Sequence, residues 1–385
     1  MRPEGECHLT DLRTLETPAL LLDRERMACN IRRMQSRVSA LGCRLRPHVK
    51  TSKSWPVVQA QIAAGAGSIT VSTLKEAEYF HAQGVHDILY AVALAPNKIA
   101  HALDLRTRGC DLAVIVDSVA SARAVAAACE ASGARLPTLV EVDSDGHRSG
   151  VRPGDPVLLE IGRVLHAAGS LAGVMTHAGG SYDLDTAGAL QAMADQERDA
   201  VLACAQALRM AGLPCERISV GSTPTALSAR ALPGVTEVRA GVYVFFDLVM
   251  AGIGVCTQDD IALSVLASVI GHQPAKGWII VDAGWMAMSR DRGTAKQKLD
   301  HGYGAICSVD GQPIPGLWMG AANQEHGIVS MRDASVPPDL PQRFPIGTLL
   351  RVLPNHACAT AAQFEAYRVV AGTAVVDDWP RFHGW

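Results

Sequence analysis

The sequence predicts an α/β protein: a (β/α)8 barrel followed by a second, mostly β domain. Three observations carry this. Short apolar or β-branched runs alternate with Ala-rich segments of helical spacing over the first two-thirds of the 385 residues. Polar groups repeatedly follow those runs, as at the C-terminal face of such barrels: His48 and Lys50, Asp143 to Arg148, His177 and Tyr182, Ser222 and Thr223, and Arg239. After about residue 245 the texture becomes strand-like runs separated by turn clusters, without long helical periodicity.

Taken in order, residues 19–22 form an early apolar run assigned to the β domain. Buried parallel strands are expected at 43–49, 68–72, 88–92, 112–116, 138–142, 171–176, 218–220 and 235–239. Asp117 and Ser118 open a helix over 119–131 as N-cap residues do. A longer helix runs from about 186 to 210 and stops at Gly212, a glycine suited to the position after a helix end. A doubly wound sheet is the alternative, but no G-x-G-x-x-G follows the first strand. Later strands are expected within 261–270, 278–281 and 348–353. The expected domains are an N-terminal segment 1–22 joining the β domain, a barrel over 23–248, and a mostly β domain over 249–385.

The chain is 48% hydrophobic and 19% charged, which fits a globular protein with a sizeable core and excludes a disordered one. Lys and Arg number 35 against 38 Asp and Glu, and no basic run occurs, so nucleic acid is not an expected partner. No apolar stretch approaches the ~20 residues a membrane helix needs. The start, MRPEGECHLTDL, lacks the apolar core of a signal peptide. A cytoplasmic location is therefore expected. The 10 cysteines are scattered with no C-x-x-C pair, so each reads as a small buried hydrophobe in a reducing compartment, Cys358 excepted. The methionines read as core, and His101 and His147 as solvated surface.

Several motifs carry chemistry. In Arg46-Pro47-His48-Val49-Lys50-Thr51 a lysine at a strand end is flanked by His and Arg. Such an amine forms a Schiff base with an aldehyde cofactor when desolvation or nearby cations lower its pKa. A solvated basic loop is the equal alternative. Gly221-Ser222-Thr223-Pro224-Thr225 follows a strand and opens a helix. It reads as a phosphate cradle or as an ordinary capped turn. In Arg239-Ala240-Gly241-Val242-Tyr243 the glycine permits close backbone approach to an anion or makes a strand-exit turn. Asn355-His356-Ala357-Cys358 spaces imidazole and thiol by two. On a strand both would face one side and suit Zn²⁺. From spacing alone, a core cysteine beside a chance histidine is favoured.

Together with DAGWMAMSRDRGTA, NQEHG and LPNHACAT, these stretches resemble the fold-type III pyridoxal-phosphate enzymes, the group built like alanine racemase. Within it, R-P-H-V-K-T and N-H-A-C are similar to the D-serine dehydratase and D-threonine aldolase branch. The resemblance covers nearly the whole chain, from Thr17 to Trp385.

The resemblance implies roles. Lys50 holds pyridoxal 5′-phosphate covalently and acts as the catalytic base. Arg148 lies near the phenolic oxygen, and His177 stacks on the ring. Tyr182 or Arg239 meets the pyridine nitrogen, with Tyr182 favoured. Ser222, Thr223, Gly241, Val242 and Tyr243 hold the phosphate. His356 and Cys358 hold Zn²⁺, other divalent metals remaining possible. Aldolases of the group tend to carry a carboxylate at the Cys358 position, so the thiolate favours elimination. Glu325 and His326 are a further shell for the metal or a surface turn. Asp282, Trp285 and Arg290 serve domain packing and site lining.

The implied reaction is dehydration and deamination of a D-3-hydroxy amino acid, with D-threo-3-hydroxyaspartate giving oxaloacetate and ammonia ranked first. The alternatives are a D-serine dehydratase, a metal-dependent D-threonine or 3-hydroxyaspartate aldolase, and a non-enzymatic pyridoxal-phosphate-binding protein. A homodimer is implied too, with the β domain of one subunit closing the other's barrel.

Overall fold

The structure, a computed structural model, describes residues 10–333 and 339–385. The chain divides into two compact units: residues 31–243 with 384–385, and residues up to 30 with 244–383. Its strands are β1 (Thr10–Asp11), β2 (Ala19–Asp23), β3 (Arg44–Pro47), β4 (Ile69–Val71), β5 (Asp87–Ala93), β6 (Asp111–Val116), β7 (Thr138–Val142), β8 (Leu171–Thr176), β9 (Arg217–Val220), β10 (Glu237–Ala240), β11 (Leu263–Gln273), β12 (Trp278–Val281), β13 (Gly304–Ser308), β14 (Pro313–Ala322), β15 (Gly327–Met331), β16 (Leu349–Leu353), β17 (Ala366–Ala371) and β18 (Ala374–Pro380).

The first unit is the expected barrel. β3 to β10 make one parallel sheet in the order β3-β10-β9-β8-β7-β6-β5-β4. A parallel bridge between His48 and Thr70 brings its two edges together. Helices between the strands follow local signals. Ser118 caps the helix Val119–Ser132 by accepting from Ser121 N, and Gly133 ends it in the left-handed region. The helix Ala187–Met210 stops just before Gly212, at φ +74°. Between neighbouring strands the backbones approach too closely for a side chain at Gly173, where a Cβ would lie 1.9 Å from Arg217 O.

The barrel interior is charged as well as apolar. Arg46 on β3 is fully buried. Its Nε donates to Glu237 Oε2 at 2.9 Å, and its Nη1 and Nη2 donate to the Asp87 carboxylate at 2.8 and 3.0 Å. Ser219 Oγ donates to Glu237 Oε1 at 2.8 Å. Arg239, two residues on and therefore on the same face of β10, donates to Ser219 Oγ and to Thr176 O. Arg46 was expected to flank Lys50. Its strand position instead turns it into the barrel, where two carboxylates neutralise it.

The second unit is a ten-stranded sheet ordered β1-β18-β17-β2-β11-β12-β15-β14-β13-β16. An added β11–β16 pairing closes β11, β12, β15, β14, β13 and β16 into a six-stranded barrel. The pairings are antiparallel except β17 with β2. The early run at β2 pairs with β11 in this sheet. Among the described residues no helix is long and apolar enough to cross a membrane.

Two expectations need correction. Met210 and Met286 are exposed, not core; Met210 ends its helix and has no neighbouring layer to bury it. Cys29 is exposed, whereas Cys43, Cys110, Cys129, Cys204, Cys215 and Cys307 are buried and free. Burial raises the thiols of Cys110, Cys204, Cys215 and Cys307 to about 11, which keeps them inert. Cys7 lies outside the described residues.

Glu237 tests the charged interior. Burial raises its pKa, but the charges of Arg46 and Arg217 and the Ser219 hydroxyl outweigh that and hold it below 4.5. A depressed carboxylate stabilises the fold above its unfolded value and loses that contribution as the pH falls through the lower folded value. Glu237→Gln should therefore cost about 3 kcal/mol in urea unfolding at neutral pH. It should also flatten the acid limb of stability below pH 4.5. An unchanged acid limb would remove Glu237 from this role.

Candidate active site

The barrel strands end in loops that gather the basic and hydroxyl groups. Lys50 is solvent-exposed on a short 3-10 turn, Val49–Thr51, directly after β3. His48 and His177 lie within electrostatic reach of both Lys50 and Arg239. Burial lowers the His177 ring to a pKa of about 4; the charges of Lys50, Arg239 and Arg148 act in the same direction, against the Gly221 hydrogen bond. The ring is therefore neutral at pH 7. Its Nδ1 sits 2.8 Å from Gly221 O, a pure acceptor, so Nδ1 carries the proton. The Tyr182 ring stands 6.1 Å away, centroid to centroid. Burial, with Lys50, Arg239 and His177, also pushes His48 well below its ordinary value. Its Nδ1 is buried without a hydrogen-bond partner.

Arg148 follows β7 and donates from Nη2 to Glu141 Oε1 at 3.2 Å. Ser149 Oγ takes the other oxygen of the same buried carboxylate. Arg239 is 3% exposed, and both terminal nitrogens are engaged inside the barrel.

The loops after β9 and β10 form one cradle. Ser222 caps the short helix Thr223–Ser228 through a reciprocal pairing with Thr225. Thr223 Oγ1 accepts from Tyr243 N at 3.3 Å, joining the two loops. A Cβ on Gly241 would lie 3.0 Å from His48 O and 3.2 Å from Thr51 Oγ1, so any side chain here would press these segments apart by a few tenths of an ångström. Tyr243 is fully buried, its hydroxyl accepting from Gln61 at 3.0 Å. Its side chain is a scaffold element.

Sequence reasoning missed Glu197. This buried carboxylate, on the helix Ala187–Met210, accepts from Ala178 N at 2.9 Å and Gly221 N at 3.0 Å. It thereby ties the His177 loop to the Ser222 loop. A glutamate on a helical pattern carries no signal of this role, because the partners are backbone groups 19 and 24 residues away.

These residues fit pyridoxal phosphate: an accessible amine, a neutral imidazole, an arginine on a loop, and a backbone cradle that a Cβ would fill.

The second unit holds the H-x-C pair, but not on a strand as expected. β16 stops at Leu353, before Pro354. Asn355 turns the chain, its Nδ2 donating to Gly302 O at 2.7 Å and its Oδ1 accepting from Thr294 Oγ1 at 3.1 Å. His356 is the extended N-cap of the helix Ala357–Ala361, and Cys358 lies in its first turn. The His356 side chain makes no capping bond to this turn, yet imidazole and thiol interact there, where strand alternation does not apply. Burial opposes the charged ring of His356, but Cys358, Asp291 and Asp247 outweigh it and raise its pKa far above the ordinary value.

Asp291 and Asp247 support this turn. Asp291 Oδ2 lies 2.6 Å from His356 Nδ1, which leaves Nε2 for a ligand. Asp247 is fully buried and accepts from Ala357 N at 2.9 Å and Met250 N at 3.0 Å. Asp291 belongs to the DAGWMAMSRDRGTA stretch, whose distinctiveness was its only signal. The neighbours named there do other work. Asp282 accepts from Thr17 Oγ1 and Ser268 N, and the Arg290 guanidinium lies 4.8 Å over the Trp285 ring. Glu325 and His326 are exposed in the turn between β14 and β15, where His326 O accepts from Asn323 N. Among the described residues no three His, Cys, Asp or Glu side chains form a metal cluster. The imidazole and thiolate donor pair itself fits zinc.

Asp291→Asn should keep the fold, by circular dichroism, yet weaken zinc retention against a competing chelator by roughly 10–100-fold. Retention equal to that of the unaltered protein would show that the Asp291 contact does not orient a metal ligand.

Comparison with known proteins agrees with this geometry. The family profile described as alanine racemase, N-terminal domain, matches residues 22–249, and a serine dehydratase domain profile matches 262–370. D-threo-3-hydroxyaspartate dehydratase of Delftia sp. (strain HT23) is 62% identical over 97% of this chain and 99% of its own length. A solved structure of that Delftia enzyme superposes with a TM-score of 0.96, covering 97% of this chain and all of the other. D-threonine aldolase of Arthrobacter sp. is 30% identical over 96% of this chain and 92% of its own. The chain belongs to the alanine racemase-like, fold-type III family, in the branch that holds the D-threo-3-hydroxyaspartate and D-serine dehydratases.

Proposed function

We propose that this protein is a carbon–oxygen lyase that dehydrates and deaminates D-threo-3-hydroxyaspartate to oxaloacetate and ammonia. The observation that carries this is the 62% identity, over nearly the full length, to a dehydratase of that name. The site supports it: Lys50 and its cradle at the barrel mouth, and the His356–Cys358 turn. Solved variants of the similar dehydratase replace a histidine and, two residues on, a cysteine, the latter in a metal-free form. That spacing matches His356 and Cys358.

When bound, pyridoxal phosphate supplies an electron sink for charge at Cα, and zinc supplies a Lewis acid for the β-hydroxyl. The chain's residues do the rest. Lys50 gives the anchoring amine and, once released, takes the Cα proton. Arg148, held by Glu141, places positive charge at the phenolic oxygen. The neutral His177 ring, fixed through Gly221, offers an uncharged face for stacking. Ser222, Thr223, Gly241 and Val242 hold the phosphate, and Tyr243 braces them. Tyr182 is the proposed partner of the pyridine nitrogen, because both terminal nitrogens of Arg239 are already bonded to Ser219 and Thr176. His356 and Cys358 would hold the zinc, leaving positions for water and substrate.

A homodimer is proposed with this reading; sedimentation should give twice the mass of the chain, and a fully active monomer would count against it.

Product analysis separates elimination from aldol cleavage. The zinc-loaded enzyme should convert D-threo-3-hydroxyaspartate to equimolar ammonia and oxaloacetate, and act more slowly on D-serine. Glycine with glyoxylate would mean an aldolase. Chelation should stop ammonia release while the visible absorbance of the bound cofactor remains. Full turnover without zinc would remove the metal from the reaction.

A further inference from the structure

The barrel has a second polar end. Arg44 opens β3, Leu171 opens β8 and Arg217 opens β9, whereas Lys50, His177 and Ser222 follow the other ends of those strands. At ~3.3 Å per residue, the two rims are about 15 Å apart. Around the strand starts lies a cavity of about 500 Å³. Its lining includes Arg44, Arg106, Arg135 and Arg217, with Glu216 the single carboxylate.

The four guanidinium groups are unequally satisfied. Arg106 is paired with Asp111 at 2.5 Å, and its Nε donates to Arg135 O at 3.2 Å. Arg44 reaches Glu237 only at 4.0 Å, and that carboxylate already holds Arg46. The Arg135 guanidinium lies against Gly169, its Nε 3.4 Å from where a Cβ would stand. Among the described residues, neither Arg135 nor Arg217 enters an ion pair. Arg217 Nη1 is sealed from solvent without a hydrogen-bond acceptor.

The cavity places four guanidiniums around one carboxylate, so it selects for negative charge on the ligand, which a guanidinium binds through charge-assisted hydrogen bonds, and its volume admits a small molecule. We propose that the cavity at the N-terminal rim of the barrel binds a small dianion, either a dicarboxylate or a phosphate. The dicarboxylate source rests on the proposed function, in which substrate and product are both dicarboxylates; the phosphate source does not.

Calorimetric titration of the holoenzyme at constant ionic strength tests this, with succinate in one arm and inorganic phosphate in the other. Succinate lacks both the amine and the β-hydroxyl, so it is not turned over. At least one dianion should bind with one-to-one stoichiometry. Succinate binding that the Arg135 and Arg217 variants weaken identifies a dicarboxylate site at this rim, phosphate binding that they weaken identifies a phosphate site, and succinate binding that they leave unchanged belongs to the active site and counts against the proposal. Arg135→Gln and Arg217→Gln should each weaken the affinity tenfold or more. Arg135 is exposed, so its variant should fold normally and keep kcat/KM in anion-free buffer. The proposal is overturned if neither dianion binds at millimolar concentration, or if both variants bind as tightly as the unaltered enzyme. Neither outcome touches the product assay, so the two readings fail separately.

Discussion

The barrel can carry arginines in its interior only because carboxylates and hydroxyls there neutralise and bond them. Arg46 and Arg239 stand opposite each other in register on β3 and β10. Neither belongs in an apolar core without carboxylates. Glu237 and Asp87 satisfy Arg46, and Ser219 carries the network on to Arg239. Burial lowers the Arg239 pKa, while Glu237, Glu197 and Glu141 act in the opposite direction and keep it charged. The same charge then helps to hold His48 and His177 neutral. Burial is the larger cause for both rings, and the buried Arg239 charge adds to it in the same direction.

A second set of carboxylates, three of them buried and Asp291 exposed, acts on geometry. Glu197 stitches two loops together through their backbone amides, and Glu141 holds Arg148 and Ser149. In the other unit, Asp247 and Asp291 fix one turn from its backbone and from its imidazole. None of these four touches the reacting atoms in the proposed reaction. Each restricts a residue that does, and such restriction separates a site from a loose cluster of the same side chains.

Much of this was legible beforehand. All eight barrel strands were placed within a few residues, because parallel strands buried on both faces read as continuous apolar runs. The helix at Val119–Ser132 was marked by its cap, and the helix at Ala187–Met210 by Gly212. The basic loop at Lys50 stood out because three basic side chains cluster within five residues, 46–50. The H-x-C pair was legible as a spacing but not as a conformation. Strand alternation is the simplest way to align i and i+2, but Pro354 and Asn355 are local turn signals that end β16 before the pair, and the expectation of a strand passed over them.

The sequence by itself determined the layered architecture and marked the short segments around Lys50, Gly221 and His356, through periodicity, capping and residue type. Their grouping into one site, with His356 paired to Cys358, came from the resemblance and not from spacing. Only the tertiary structure decided which carboxylate serves which cation or amide. Arg46 leaves Lys50 for Glu237, His356 takes Asp291, and Glu197 takes two backbone amides. Such choices depend on which strands are neighbours and which faces point inward. Burial penalises an unpaired charge wherever it falls, so partners distant in sequence are selected only once the chain has folded.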